Sequence, residues 1–189
     1  MISDDQGPIG VTRLILLFTA ATLVALALQT VLPYWLPLGF ALIPDLVLIL
    51  VVDLGLRHHG ALAALMAFVM GYATDAFSGT HIGMNAFLTT LVFLLAYEIA
   101  SRLMVTNVVV GVVTVILGVL IKDSGAILIS SGMAGFGQVG RMFPQMLLKA
   151  IVTAAFAPAV FAAMAGLKRL TGLPAASGRE DNRIEGVLR

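Results

Sequence analysis

Long apolar runs, separated by short polar or glycine-rich stretches, outline the chain. The first run, 14–32, has only threonines, Gln29 and small side chains as relief. At about 1.5 Å per residue it crosses the hydrocarbon core of a bilayer as a single helix. Ala25-Leu26-Ala27 resembles a signal-peptide cleavage site, but it lies inside a run longer than an ordinary signal core, and a retained helix is the preferred reading. Residues 33–42 carry Pro33, Tyr34, Trp35, Pro37 and Gly39, which predict a loop with interfacial aromatics. A second helix is expected over 43–56, with Pro44 at a start position that tolerates proline. Helices over 61–77, 84–100 and 105–131 follow. The glycine-rich stretch 132–140 predicts a loop, and a sixth helix is expected over 143–167 with a kink at Pro158.

The pattern therefore predicts an all-α integral membrane protein with six transmembrane helices over 14–167. A polar arm over 1–13 precedes them, and a tail over 168–189, too poor in apolar residues to fold alone, follows. Composition agrees. The chain is 60% hydrophobic and 11% charged, with mean hydropathy +1.05, whereas soluble domains carry roughly 25% charged residues. The absence of cysteine excludes disulfides, thiolate catalysis and Cys-ligated metals. A net charge of +1, with no basic patch interleaved with aromatics, gives no footing for nucleic acid.

Charge sets the expected orientation. Six passes put both termini on one side. With the N-terminus inside, Arg13, Arg57, Arg102, Lys168, Arg169, Arg179, Arg183 and Arg189 are cytoplasmic, and only Arg141 lies in an outer loop. Eight against one predicts N-in and C-in. Asp53 with Arg57, and Glu98 with Arg102, stand four apart with the acid first, the better helical orientation, and read as interfacial ion pairs with snorkelling arginines. Asp45, Asp75, Lys122, Asp123 and Lys149 all fall in the outer half. Charges at that depth are costly unless paired or facing water. They form either a structural polar knot or a polar-lined groove.

Catalytic signals are missing. The chain has no GxSxG, HExxH or Walker loop. His58 and His59 point about 100° apart on a helix, and His81 stands alone, so a zinc site is not expected and no cofactor is called for. The densest pattern is instead 60–85, where Gly71, Asp75, Gly79 and Gly83 recur every four residues. Gly71 and Asp75 share a helix face, and a glycine beside a carboxylate lets another helix come close. Gly79 and Gly83 are expected to end the helix and form the turn. The plain alternative is a membrane helix that happens to end in glycines.

Ile43-Pro44-Asp45-Leu46-Val47-Leu48-Ile49-Leu50, then Gly71-Tyr72-Ala73-Thr74-Asp75-Ala76-Phe77-Ser78-Gly79, then Ile82-Gly83-Met84-Asn85, resembles the rod shape-determining protein MreD family in order and spacing. Asp53 departs from the apolar or aromatic residue the pattern leads one to expect. The resemblance implies a non-enzymatic bacterial inner-membrane subunit of the cell-elongation machinery. Its partners would be an MreC-like single-span protein, the MreB filament and the RodA–PBP2 peptidoglycan synthase. It also implies a fold like the substrate-binding component of energy-coupling-factor transporters. Pro44, Gly71, Asp75, Gly79 and Gly83 carry over as structural or interface positions. Asp45, Lys122, Asp123 and Lys149 join them on the charge argument. A second hypothesis, a small-molecule-binding component of a vitamin-type transporter, draws on the outer polar set and on Ala21 and Ala25, four apart on helix one.

Overall fold

The computed structural model describes residues 8–35, 43–58, 60–78, 82–102, 108–131 and 135–171. Gly79, His59 and His81 lie outside the described residues. Among the described residues all the regular structure is helical: α1 (Pro8–Trp35), α2 (Leu46–Arg57), α3 (Ala61–Ser78), α4 (Met84–Arg102), α5 (Val108–Ser131) and α6 (Gly135–Leu170).

Several boundaries differ from the sequence pattern, each for a physical reason. α1 takes in residues expected to belong to the arm and the following loop, running through Pro33 to Trp35. α2 starts at Leu46, because Asp45 is its N-cap and accepts the Leu48 amide at 3.1 Å. Pro44 thus precedes the cap instead of sitting in the first turn. α6 begins at Gly135, inside the stretch expected to be a loop. Glycine costs about 1 kcal/mol in a helix interior, but Gly135, Gly137 and Gly140 all fall in the first two turns of a 36-residue helix, which the apolar run beyond them carries. α6 continues to Leu170 and takes Lys168 and Arg169 into its last turn, where cations complement the helix dipole. Pro144 and Pro158 both lie within it.

The centre of the bundle is α2. Every residue from Leu46 to Leu56 is buried, and α2 touches each of the other five helices. The others pack around it in the order α1, α3, α4, α5, α6. The reason is in its composition: LVLILVVDLGL is apolar on all sides apart from Asp53, and a helix without a polar face belongs inside. Its 12 residues extend about 18 Å, less than the roughly 20 residues of a spanning helix. Five of the six helices are long and apolar enough to cross a membrane. Their outward faces carry exposed Leu16, Val24, Phe68, Phe87, Val113 and Ile151, the surface that lipid covers.

Contacts between elements give an up-and-down bundle. Gln29 near the end of α1 donates to the Pro44 carbonyl at 3.0 Å, and α2 returns from there. At the opposite end, the Arg13 guanidinium of α1 donates to the Thr171 carbonyl after α6 at 3.4 Å. The first and last helices therefore meet at one end. Buried hydroxyls are satisfied within their own helices: Thr22 donates to the Phe18 carbonyl at 2.7 Å and Thr114 to Val110 at 2.7 Å.

Helix association in lipid depends on close packing, not on the hydrophobic effect, and glycines supply it here. A Cβ on Gly55 of α2 would stand 2.8 Å from Ala96 Cβ and 2.9 Å from the Phe93 carbonyl of α4. On Gly71 of α3 it would meet the Thr89 hydroxyl and stand 2.7 Å from Ala86 Cα of α4. On Gly111 it would reach Phe161 at 2.7 Å, and on Gly118 Val92 at 2.9 Å. The small faces at Gly71, Gly111 and Gly118 are therefore filled by helices of the same chain. Ala25 is likewise buried in the core, and Ala21 packs against it.

Candidate functional site

Two polar stations stand at the two ends of α2, about 12 Å apart along its axis from Asp45 to Asp53. At the first, Asp45 is held from three helices. Its own turn supplies the Leu48 amide, α5 supplies Lys122 Nζ at 2.6 Å, and α6 supplies the Thr153 hydroxyl, which accepts the Asp45 amide at 3.1 Å. Both charged side chains of the pair are more than nine-tenths buried, at 7% and 9% exposure. Next to them in sequence, Asp123 accepts both its bonds from Lys149 of α6, at 2.9 and 3.0 Å. Two acids and two bases thus neutralise one another across α2, α5 and α6. The residues the sequence placed at one depth, Asp45, Lys122, Asp123 and Lys149, form this set.

Asp75 is not part of it. Its carboxylate accepts the amides of Gly83 at 3.0 Å, Asn85 at 3.0 Å and Ala86 at 3.1 Å, and the Asn85 side-chain amide at 2.9 Å. The turn before α4 and the first turn of α4 thus supply its partners. One carboxylate from the end of α3 satisfies the amides that begin α4, groups that a helix start always leaves without an internal partner. Gly83 reaches the required conformation at φ +95°, where side chains are strained. Gly71, one turn before Asp75, lets α4 approach closely enough for the cap. The repeat of small and acidic residues thus builds an intramolecular clasp between α3 and α4.

The second station was only half visible in the sequence. Asp53, 1% exposed, bonds Arg57 at 2.6 Å as the i,i+4 spacing predicts. Its other oxygen bonds Lys168 of α6 at 2.7 Å. Lys168 is buried and its ammonium also stands 5.1 Å over the Phe18 ring of α1. Phe18 in turn meets the His58 ring edge-on, with centroids 6.1 Å apart. The sequence pattern places Lys168 in the tail, because a basic residue after an apolar run ordinarily marks the membrane edge. The available signal was the core stripe of α6: Ala157, Phe161 and Met164 are buried, and Lys168 is the next position on it. The Glu98–Arg102 pair forms at 2.6 Å with both partners exposed, a setting in which ion pairs contribute about 0–1 kcal/mol.

Two cavities adjoin the bundle. One of about 230 Å³ lies between α1 and α3, lined by apolar groups such as Phe18, Leu62, Met66 and Val69. The other, of about 280 Å³, opens between α5 and α6 beside the Asp123–Lys149 pair. Among the described residues no group of three His, Asp or Glu is placed to hold a metal.

A buried central helix, a lipid-facing ring and internally matched charges define a multi-pass helical membrane protein whose polar groups mostly serve to assemble it. The family model of the rod shape-determining protein MreD matches residues 10–166, and the chain belongs to that family. It is a rod shape-determining membrane protein. No curated protein and no solved structure matches the chain.

Proposed function

We propose that this chain is a non-enzymatic inner-membrane subunit of the bacterial cell-elongation complex. In this reading it helps to assemble an MreC-like single-span protein with the MreB filament and the RodA–PBP2 synthase. The observation that carries the reading is the family match over nearly the whole helical region. The geometry supports it: the charged residues singled out by depth are engaged with one another or with backbone amides. The test is complementation. In a rod-shaped bacterium depleted of its own family member, the chain should restore rod shape, and a single-span membrane protein should co-purify with it. Restored shape without any membrane partner, or transport of a small molecule by the purified protein alone, would overturn this reading. The vitamin-transporter alternative loses one support, since Ala25 is buried in the core.

The same proposal includes six passes with both termini in the cytoplasm, and the division into arm, membrane domain and tail. The charge bias and the Arg13–Thr171 contact support it. The protein has no native cysteine, so single-cysteine labelling is clean. A membrane-impermeant maleimide applied to intact spheroplasts should label a cysteine at the exposed Gly137 and spare one at Ser177. Labelling at Ser177 would reverse the orientation and turn the Asp45 station toward the cytoplasm.

A further inference from the structure

The cleft between α5 and α6 has a polar wall with a regular origin. Arg141, Gln145, Lys149 and Thr153 of α6 stand four apart and so share one helix face. They descend from the exposed Arg141, through exposed Gln145 and half-buried Lys149, to Thr153, which is fully buried against the Asp45 station. Arg141 to Lys149 spans about 12 Å. Gln145, Lys149 and Asp123 line the cleft itself, and Ala126, Ile127, Met142 and Met146 complete its wall.

The other charged contacts described above are closed or fully exposed at the surface. This one is a pair at the floor of an open cavity, with Lys149 26% and Asp123 18% exposed. A charged pair next to hydrocarbon needs a polar neighbour. The chemistry of that neighbour follows from the donors. Asp123 has both oxygens engaged by Lys149, while an ammonium carries three protons, the Gln145 amide two and the Arg141 guanidinium five. The lining is rich in donors, and Arg141, one turn above Gln145 on the same helix face, adds one positive charge just outside it, so the cleft suits an acceptor-rich anion. The rest of the lining, Ala126 and Ile127 of α5 with Met142 and Met146 of α6, is aliphatic and thioether, suited to hydrocarbon.

We infer that the α5–α6 cleft binds a phosphate-headed amphiphile, with the phosphate against Lys149, Gln145 and Arg141 and the adjoining hydrocarbon along Ala126, Ile127, Met142 and Met146. A volume of about 280 Å³ equals roughly nine water molecules of liquid. That holds a phosphate and its glycerol but not two acyl chains, which remain in the bilayer. Charge-assisted bonds from guanidinium and ammonium to phosphate are among the strongest available. This inference does not depend on the partner assembly proposed above.

The test uses the full chain, purified in detergent and stripped of lipid, with dihexanoyl phosphatidylglycerol as the probe and binding followed by thermal stabilisation and by native mass spectrometry. The wild type should bind one molecule and melt at a higher temperature. Ala126→Phe, which fills the cleft, should weaken binding by at least about tenfold, and Arg141→Gln by about fivefold. Arg141 is exposed, so its variant keeps the test informative even if Ala126→Phe folds poorly. Inorganic phosphate should compete only at far higher concentration, and dihexanoylglycerol, which lacks the phosphate, should not bind. Equal affinity in wild type and Arg141→Gln, binding of dihexanoylglycerol as tight as that of the probe, or inorganic phosphate binding as tightly as the lipid would each overturn the inference.

Discussion

Asp75→Leu is expected to remove most folded protein from the membrane. The substitution deletes the acceptor of three backbone amides and one side-chain amide at the start of α4. Each buried amide left without a partner costs about 1–3 kcal/mol. Three or four together approach the about 5–15 kcal/mol that separates folded from unfolded states of a whole domain. Asn85 and Ala86 are buried, which limits rescue of their amides by water. Asp75→Asn retains one acceptor oxygen and should lose an intermediate amount. Gly71→Leu should resemble Asp75→Leu, because its side chain would force α4 away from the cap. The measurement is the monodisperse fraction after detergent extraction, with the melting temperature of whatever survives. Wild-type yield and melting for Asp75→Leu would show that the clasp contributes nothing. A normal yield for Gly71→Leu with loss only of a co-purifying partner would mean that this face serves a partner helix after all.

Lys122→Met is the second large effect, and a double variant makes it diagnostic. Breaking a buried ion pair by removing one partner costs about 3–5 kcal/mol, because the other charge stays buried and uncompensated. Here the stranded group is Asp45, which caps the central helix and stands among α2, α5 and α6. Lys122→Met should therefore lower the melting temperature markedly. Combining it with Asp45→Asn, which keeps the capping acceptor but removes the charge, should recover most of the loss. Replacing both members of a buried pair by neutral groups is often close to neutral. The coupling is read from a double-mutant cycle over wild type, both single variants and the double variant. Additive losses would mean that the two residues do not act as a pair.

What the chain settles by itself is local. Long apolar runs force helices in lipid, because no other structure satisfies the backbone there. The sequence therefore located six helices near their observed places and gave the class of protein and, through the ordered motifs, its family. It also gave the pairs that follow from helical spacing alone, Asp53 with Arg57 and Glu98 with Arg102. The long-range pairs were beyond it. Asp45 with Lys122 and Asp53 with Lys168 lie 77 and 115 residues apart, so only helix packing decides which acid meets which base. Of the five charges grouped by depth, four meet across α2, α5 and α6. Asp75 instead lies on the α3–α4 side, where amides hold it. Tertiary structure likewise decided the place of α2. Its apolar residues on every side are compatible with a helix facing lipid or with one enclosed by protein, and only the ring of five neighbours selects the second. The glycines follow the same rule. A glycine in a membrane helix lets something come close, and at Gly71, Gly111 and Gly118 the fold determines that it is the chain's own helices.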